Sequence, residues 1–126
     1  MVAVDTNVIV RVIIRDNLNQ TESVERFIQN GAWISILALA EAVWVLKSFY
    51  GLTPQELDQA IEMLLRHQHF VVEDPETVAD ALELFRAKPA LGFADCLMLE
   101  LARKAGHLPL GTFDRALAKV HGAIRL

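Results

Sequence analysis

Four acidic side chains stand where this chain is otherwise apolar or where a short apolar run ends: Asp5, Glu41, Asp95 and Asp114. Carboxylates that converge repel each other and raise each other's pKa unless a cation neutralises them. Hard oxygen ligands without a nearby set of Cys and His select Mg²⁺ or Mn²⁺. A site of this kind can activate water and hold a phosphate for in-line displacement. The acids therefore indicate metal-dependent phosphodiester chemistry.

Glu41 is the most unusual of the four, because residues 32–46 contain only one other polar side chain. On a helix it shares a face with Leu37 and Trp44. Burial of a lone carboxylate costs about 5 kcal/mol or forces protonation. Two interpretations are open. In the first, Glu41 is paired with an arginine or a helix N-terminus. In the second, it is a metal ligand or a general acid/base at the mouth of a pocket.

The other three acids also have structural explanations. Asp95 is expected in the first turn of a helix, where the helix dipole stabilises a negative charge. Asp5 and Asp114 can each be an ordinary helix N-cap. The case for chemistry therefore rests on the set of four rather than on any single member.

Short apolar runs alternate with helical segments along the chain, which predicts an α/β fold with a mainly parallel sheet. Strands are expected at 1–4, 32–35, 69–73, 108–111 and 123–125, and helices at 8–15, 21–28, 37–50, 53–66, 74–87, 93–105 and 114–120. The first strand is expected to be buried. In such sheets the functional crevice lies at the carboxyl ends of the strands. Asp5 and the segment 112–114 are expected at such ends.

Length and composition limit the class of protein. The chain has 126 residues, of which 53% are hydrophobic, so we expect one domain over 1–126 with a real core. The net charge of −4, which equals the contribution of the four acids, argues against a simple basic coat for nucleic acid. One cysteine and the lack of a signal peptide or a membrane-length apolar segment indicate a soluble cytoplasmic protein.

Two tryptophans and two histidines have structural rather than functional interpretations. Trp33 and Trp44 both lie in apolar runs and are expected in the core. His67 and His69 are two residues apart, so on a strand their rings would point in opposite directions and would not share a metal.

The ordered set of motifs resembles the PIN-domain ribonucleases. The motifs are Asp5-Thr6-Asn7 after a strand, Glu41 in an apolar helix, Asp95 opening a later helix and Thr112-Phe113-Asp114 after another strand. The size and the order of acids are similar to those of the VapC toxins of bacterial and archaeal type II toxin–antitoxin modules. The resemblance covers essentially the whole chain.

The resemblance implies a three-layer sandwich, with a central, mainly parallel sheet flanked by helices. It also implies that the four acids form one acidic metal site for Mg²⁺ or Mn²⁺, with Asp5 and Asp95 as direct ligands. Glu41 would be a further ligand or help to deprotonate water, and Asp114 would bind metal through water or complete the charge. Thr6, Asn7 and Thr112 would orient these acids.

The same resemblance implies an RNA substrate, a homodimer and a cognate VapB-type antitoxin that blocks the site. From the residues alone, the pairs Arg11 with Arg15 and Arg86 with Lys88 are candidate contacts to RNA phosphates. Each pair can equally be part of a solvated face.

Other functions fit less well or remain open. A haloacid dehalogenase-like phosphatase needs a second aspartate where this chain has Asn7, and a nucleotide switch needs a Gly-rich phosphate loop that the chain lacks. Two alternatives stay open: a PIN-like module that only binds RNA or a partner, and a nuclease directed at DNA.

Overall fold

The structure is a computed structural model that describes residues 1–126. The chain divides into two compact units, Met1–Pro75 and Glu76–Leu126.

The first unit is built on three parallel strands in the order β1-β2-β3. Its elements are β1 (Val2–Ala3), α1 (Thr6–Ile13), α2 (Leu18–Ile28), β2 (Ala32–Ile34), α3 (Ile36–Ser48), α4 (Pro54–Arg66) and β3 (Phe70–Val72). Ala32 is in register with Val2 on one side and with Phe70 on the other. Parallel neighbours require crossover connections, which the helix pairs α1–α2 and α3–α4 supply.

The second unit contains a smaller pair of parallel strands. Its elements are α5 (Pro75–Ala87), a 3₁₀ turn (Pro89–Leu91), α6 (Phe93–Ala105), β4 (Leu110–Thr112), α7 (Arg115–Ala118) and β5 (Ala123–Arg125). Leu110 is in register with Ala123, and Thr112 with Arg125. Alternating helices and parallel strands confirm the predicted α/β class.

Local capping chemistry explains most helix boundaries. Thr53 and Glu56 form a reciprocal capping box at the start of α4, as the motif with Pro at the first helical position predicts. The start of α2 differs from the prediction of 21–28. Asn17 accepts a hydrogen bond from the backbone N–H of Gln20 at 3.0 Å and begins the helix at Leu18.

The prediction of a buried first strand is wrong. Val2 and Ala3 are exposed, and only Val4, just after the strand, is buried. A short apolar run predicts a strand, but it does not show which of its side chains other elements of the fold will cover.

The prediction that both tryptophans belong to the core is also wrong. Trp44 is 67% exposed and Trp33 is 39% exposed. The core of the first unit is aliphatic instead, with Ile9, Ile34 and Leu46 almost fully buried. An apolar run in a sequence does not specify which helix face is buried, and α3 is apolar on both faces.

The helices are too short or too polar to cross a bilayer, so the structure contains no candidate membrane-spanning helix.

Candidate active site

Asp5 lies just beyond the carboxyl end of β1 and is the N-cap of α1. Its Oδ1 accepts a hydrogen bond from the backbone N–H of Val8 at 3.1 Å. This is the structural role that an Asp at this position predicts. The cap occupies one carboxylate oxygen, and the side chain is exposed, so the second oxygen stays available to a ligand.

Thr6 connects Asp5 to Glu41. Its hydroxyl donates a hydrogen bond to Glu41 Oε2 at 2.8 Å, although the two residues are 35 positions apart. This bond holds a carboxylate of α3 next to the residue that follows Asp5. The first unit therefore brings two of the four predicted acids into one neighbourhood, with Thr6 orienting one of them.

The argument that burial makes Glu41 unusual does not hold. Glu41 is exposed, and so are its helix neighbours Leu37 and Trp44. The sequence correctly groups these three side chains on one face of α3, but that face points to solvent. The carboxylate of Glu41 accepts a hydrogen bond from the hydroxyl of Thr6.

A polar cleft of about 590 Å³ opens beside Asp5, between α1 and α2. Asn7 and Arg11 line it from α1, and Asn19, Gln20 and Ser23 line it from α2. Asn7 forms no hydrogen bond to any of the four acids, so its side chain contributes to the cleft rather than to their orientation. The amide and hydroxyl groups of α2 are site residues that sequence reasoning missed, because nothing in their local pattern distinguishes them from a solvated helix.

Two more polar residues lie at the same edge of the three-stranded sheet. Ser35 follows β2 and accepts a hydrogen bond from the N–H of Ala38 at 3.0 Å. Glu73 follows β3 and accepts one from the N–H of Ile36 at 2.9 Å. Both therefore satisfy the N-terminus of α3. The strand-end rule that selected Asp5 could have found these two residues as well.

Asp95 and Asp114 form the second acid pair, within the second unit. Asp95 is half-buried in the first turn of α6, and Asp114 is the N-cap of α7. Burial, and then the negative charge of Asp114, raises the pKa of the Asp95 carboxyl above its usual value. Two carboxylates that repel each other in this way are stabilised by a cation placed beside them.

Thr112 and the α7 cap fix the position of Asp114. The hydroxyl of Thr112 accepts a hydrogen bond from the backbone N–H of Asp114 at 3.0 Å. Asp114 Oδ1 in turn accepts one from the N–H of Leu117 at 2.8 Å. As at Asp5, the cap uses one carboxylate oxygen and leaves the other at an exposed position.

Cys96 is adjacent to Asp95 but is not a nucleophile. Its side chain is fully buried, as predicted for a small hydrophobic residue, and burial raises the pKa of the thiol to about 12. A thiol with that pKa remains protonated at neutral pH, which rules out thiolate chemistry.

The basic residues predicted to contact phosphate have different surroundings. Arg11 lines the cleft beside Asp5, where Asp16 and the hydroxyl of Tyr50 hold its guanidinium. Arg15 does not line that cleft and forms an ion pair with Glu25 at 2.6 Å. Arg86 and Lys88 are exposed at and after the end of α5.

The acids form two pairs, Asp5 with Glu41 and Asp95 with Asp114, and their carboxylate oxygens suit a hard divalent cation. Neither unit by itself brings together three or more His, Cys, Asp or Glu side chains in a metal-binding arrangement. Mg²⁺ does not need such a cage, because it is commonly held by one or two carboxylates, water and substrate phosphates. The pair Asp95 and Asp114 fits this requirement, and the electrostatic repulsion between them is what a cation would relieve.

The chain is similar to a known protein family. The model of the PIN domain matches residues 2–123, nearly the full length of the chain. The chain belongs to the PIN domain family. No curated protein and no solved structure matches it.

Membership of the family agrees with the site. PIN domains are generally nucleases that bind nucleic acid and use divalent metal ions. In this PIN domain two pairs of carboxylates are available, each beside a threonine that fixes one member. The fold is the α/β PIN fold with parallel strands that the sequence predicts.

Proposed function

We propose that this PIN domain is a Mg²⁺- or Mn²⁺-dependent endoribonuclease and the toxin of a toxin–antitoxin pair. The observation that carries the proposal is the family match over residues 2–123, together with two oriented pairs of acids. All four carboxylates, Asp5, Glu41, Asp95 and Asp114, act in the same reaction. Oxygen donors of this kind suit either cation.

In the proposed reaction, Asp5 and Asp95 supply the direct metal ligands. When bound, the cation supplies positive charge at the phosphate and lowers the pKa of water. Glu41 accepts a proton from the attacking water or adds a further ligand, and the Thr6 hydroxyl holds its carboxylate for that role. Asp114 completes the negative charge of the site, with its backbone fixed by Thr112.

The cleft beside Asp5 is the proposed path of the RNA strand. Asn19, Gln20 and Ser23 offer amide and hydroxyl groups that can bond bases, ribose hydroxyls and phosphates. Arg11, whose guanidinium is fixed by Tyr50 and Asp16, supplies positive charge on the opposite side of the cleft.

A protein partner and a dimer belong to the same proposal. Leu37 and Trp44 are 71% and 67% exposed on the face of α3 that carries Glu41. Large exposed apolar side chains are typical of surfaces that bind other proteins. A VapB-type antitoxin that covers Glu41 would block the reaction directly. The proposed toxin inhibits translation and growth, and its proposed location is the cytoplasm.

Cleavage of a total-RNA preparation tests the enzymatic part of the proposal. We expect discrete fragments with Mg²⁺ or Mn²⁺ and none with EDTA. A parallel reaction on single-stranded DNA tests specificity. Cleavage of DNA alone would favour a DNA-directed nuclease, and metal-independent RNA binding without cleavage would favour a binding module.

Growth of cells that express the protein tests the toxin role. Induction of the wild-type chain should arrest growth and translation, whereas Asp5→Asn should not. Normal growth despite cleavage of RNA in vitro would separate the nuclease activity from the toxin role and refute the latter.

A further inference from the structure

A second cavity, of about 300 Å³, lies in the first unit. It is at the amino ends of the parallel strands, whereas Asp5 is at their carboxyl ends. His67, Gln68 and His69 line it, and they come directly before β3. Asp5, in contrast, follows the carboxyl end of β1. Because all three strands are parallel, the amino end of β3 and the carboxyl end of β1 are at opposite edges of the sheet. The cavity therefore lies away from Asp5, although Arg11 and Val24 line both the cavity and the cleft beside Asp5.

Two imidazole rings also line the cavity, contrary to the expectation that they point in opposite directions. Both precede β3 rather than lying on it, and their ring centroids are 5.7 Å apart. His67 Nδ1 accepts a hydrogen bond from the backbone N–H of His69 at 3.1 Å. The neutral ring of His67 therefore carries its proton on Nε2, where it can donate to a ligand.

Two arginines line the cavity, and Arg15 is the candidate anion contact because Asp16 and Tyr50 hold Arg11. The side chain of Arg15 is about half exposed and pairs with Glu25, which is similarly exposed, at 2.6 Å. An exposed pair of this kind contributes little to stability. The guanidinium can therefore exchange Glu25 for a phosphate, which arginine binds through two parallel hydrogen bonds.

The size and the aliphatic lining exclude a bare phosphate as the best ligand. A volume of about 300 Å³ is roughly that of ten water molecules in the liquid. Val24 and Ile28 add apolar surface from α2. Nucleobases stack on imidazole rings and guanidinium groups and form hydrogen bonds along their edges.

We propose that this cavity binds one nucleotide, with its base against His67 and His69 and its phosphate on Arg15. The amide of Gln68 then bonds polar atoms of the ligand. The nucleotide is either a free mononucleotide or one residue of an RNA strand. The site uses none of the four acids, so it does not depend on the proposed nuclease function.

Calorimetric titration of the full chain in EDTA with AMP, adenosine and inorganic phosphate tests the site. AMP should bind more tightly than adenosine or phosphate, and Arg15→Ala and His69→Ala should each weaken it at least about tenfold. Arg66→Ala is the matched control, because Arg66 is exposed and pairs with Glu62 at 2.6 Å outside the cavity. Asp5→Asn should bind AMP like the wild type even where it abolishes cleavage.

A short single-stranded RNA in EDTA distinguishes the two sources of the nucleotide. If Arg15→Ala and His69→Ala weaken both RNA and AMP binding, the pocket takes a nucleotide of the strand. If they weaken AMP binding alone, the ligand is a free mononucleotide. Absence of AMP binding, equal binding of inorganic phosphate, or equal losses in Arg66→Ala would overturn the proposal.

Discussion

At the residue scale, the acids of this PIN domain combine local structural roles with the proposed chemistry. Asp5 and Asp114 each use one oxygen to cap a helix, and each retains a second oxygen. Glu41 and Asp95 do not cap helices, and their environments differ. A threonine hydroxyl bonds Glu41, whereas burial and a neighbouring charge destabilise ionised Asp95. A structural role for an acid therefore does not argue against a catalytic one.

Thr6 provides the most specific test of how Glu41 is held. Thr6→Val removes the donor to Glu41 Oε2 while it keeps the shape of the side chain, so RNA cleavage should fall about 10–100-fold. Thr6→Ser keeps a hydroxyl and should retain most of the activity. Equal activity of the Val and Ser variants would show that this hydrogen bond does not position a functional carboxylate.

The raised pKa of Asp95 predicts how stability depends on pH. Below the usual value of 3.8, Asp95 is protonated in both the folded and the unfolded chain and has no effect. Above its raised pKa it is ionised in both states, and the folded state is then destabilised. In EDTA, Asp95→Asn should therefore be more stable than the wild type at pH 7, and the difference should shrink as the pH falls through the raised pKa towards 3.8.

Urea denaturation at several pH values measures this effect. The exposed Asp80 of α5 provides a control, and Asp80→Asn should not reproduce the gain. Added Mg²⁺ should stabilise the wild type more than Asp95→Asn. A lower stability of Asp95→Asn at pH 7 in EDTA would mean that the ionised carboxylate is stabilising, contrary to the account.

At the element scale, helix capping determines where the acids lie. The N-cap at Asp5 fixes the start of α1 just after β1, and the N-cap at Asp114 does the same for α7 after β4. Ser35 and Glu73 together cap α3, the helix that carries Glu41. The bonds that begin the helices therefore also define the edge of the sheet at which carboxylates accumulate.

Asp5 caps α1 and, in the proposed function, also binds metal. Asparagine caps a helix about as well as aspartate but lacks the negative charge, so Asp5→Asn separates these two roles. Asp5→Asn should lose cleavage with little loss of stability, since the amide oxygen still accepts from Val8. Asp5→Ala should lose cleavage and in addition about 1 kcal/mol of unfolding free energy. Comparison of the two variants by urea denaturation measures the cap alone, and equal stabilities would contradict the assigned cap.

Most elements could be predicted from the sequence because their signals are local. The capping box at Thr53 and the apolar runs of the strands depend only on neighbouring residues, and α6 has the predicted bounds of 93–105. Burial could not be predicted in the same way. The exposure of β1 and of Trp44 depends on the neighbours that each element acquires in the fold.

The candidate site was predictable to a similar extent. The four acids and the positioning threonines Thr6 and Thr112 follow from motifs that the sequence carries. The cleft residues of α2 and the cavity around Thr21 could not be predicted, because each is created when helices distant in sequence pack together. Polar residues on an exposed helix give no local signal of this role.

At the scale of the whole molecule, each compact unit carries one pair of acids. Met1–Pro75 contains Asp5 and Glu41, and Glu76–Leu126 contains Asp95 and Asp114. The central claim is that both pairs serve one metal-dependent reaction on RNA.

Cleavage of total RNA by Asp5→Asn and Asp95→Asn tests this claim most directly, because each variant removes one charge from a different unit. With Mg²⁺ or Mn²⁺, wild-type protein should give discrete fragments. The rate of RNA cleavage by each folded variant should fall at least about a hundredfold. The reason is that loss of a metal ligand raises the activation free energy by about 3 kcal/mol. Wild-type cleavage by either cleanly folded variant would contradict the account, since one pair of acids would then be dispensable.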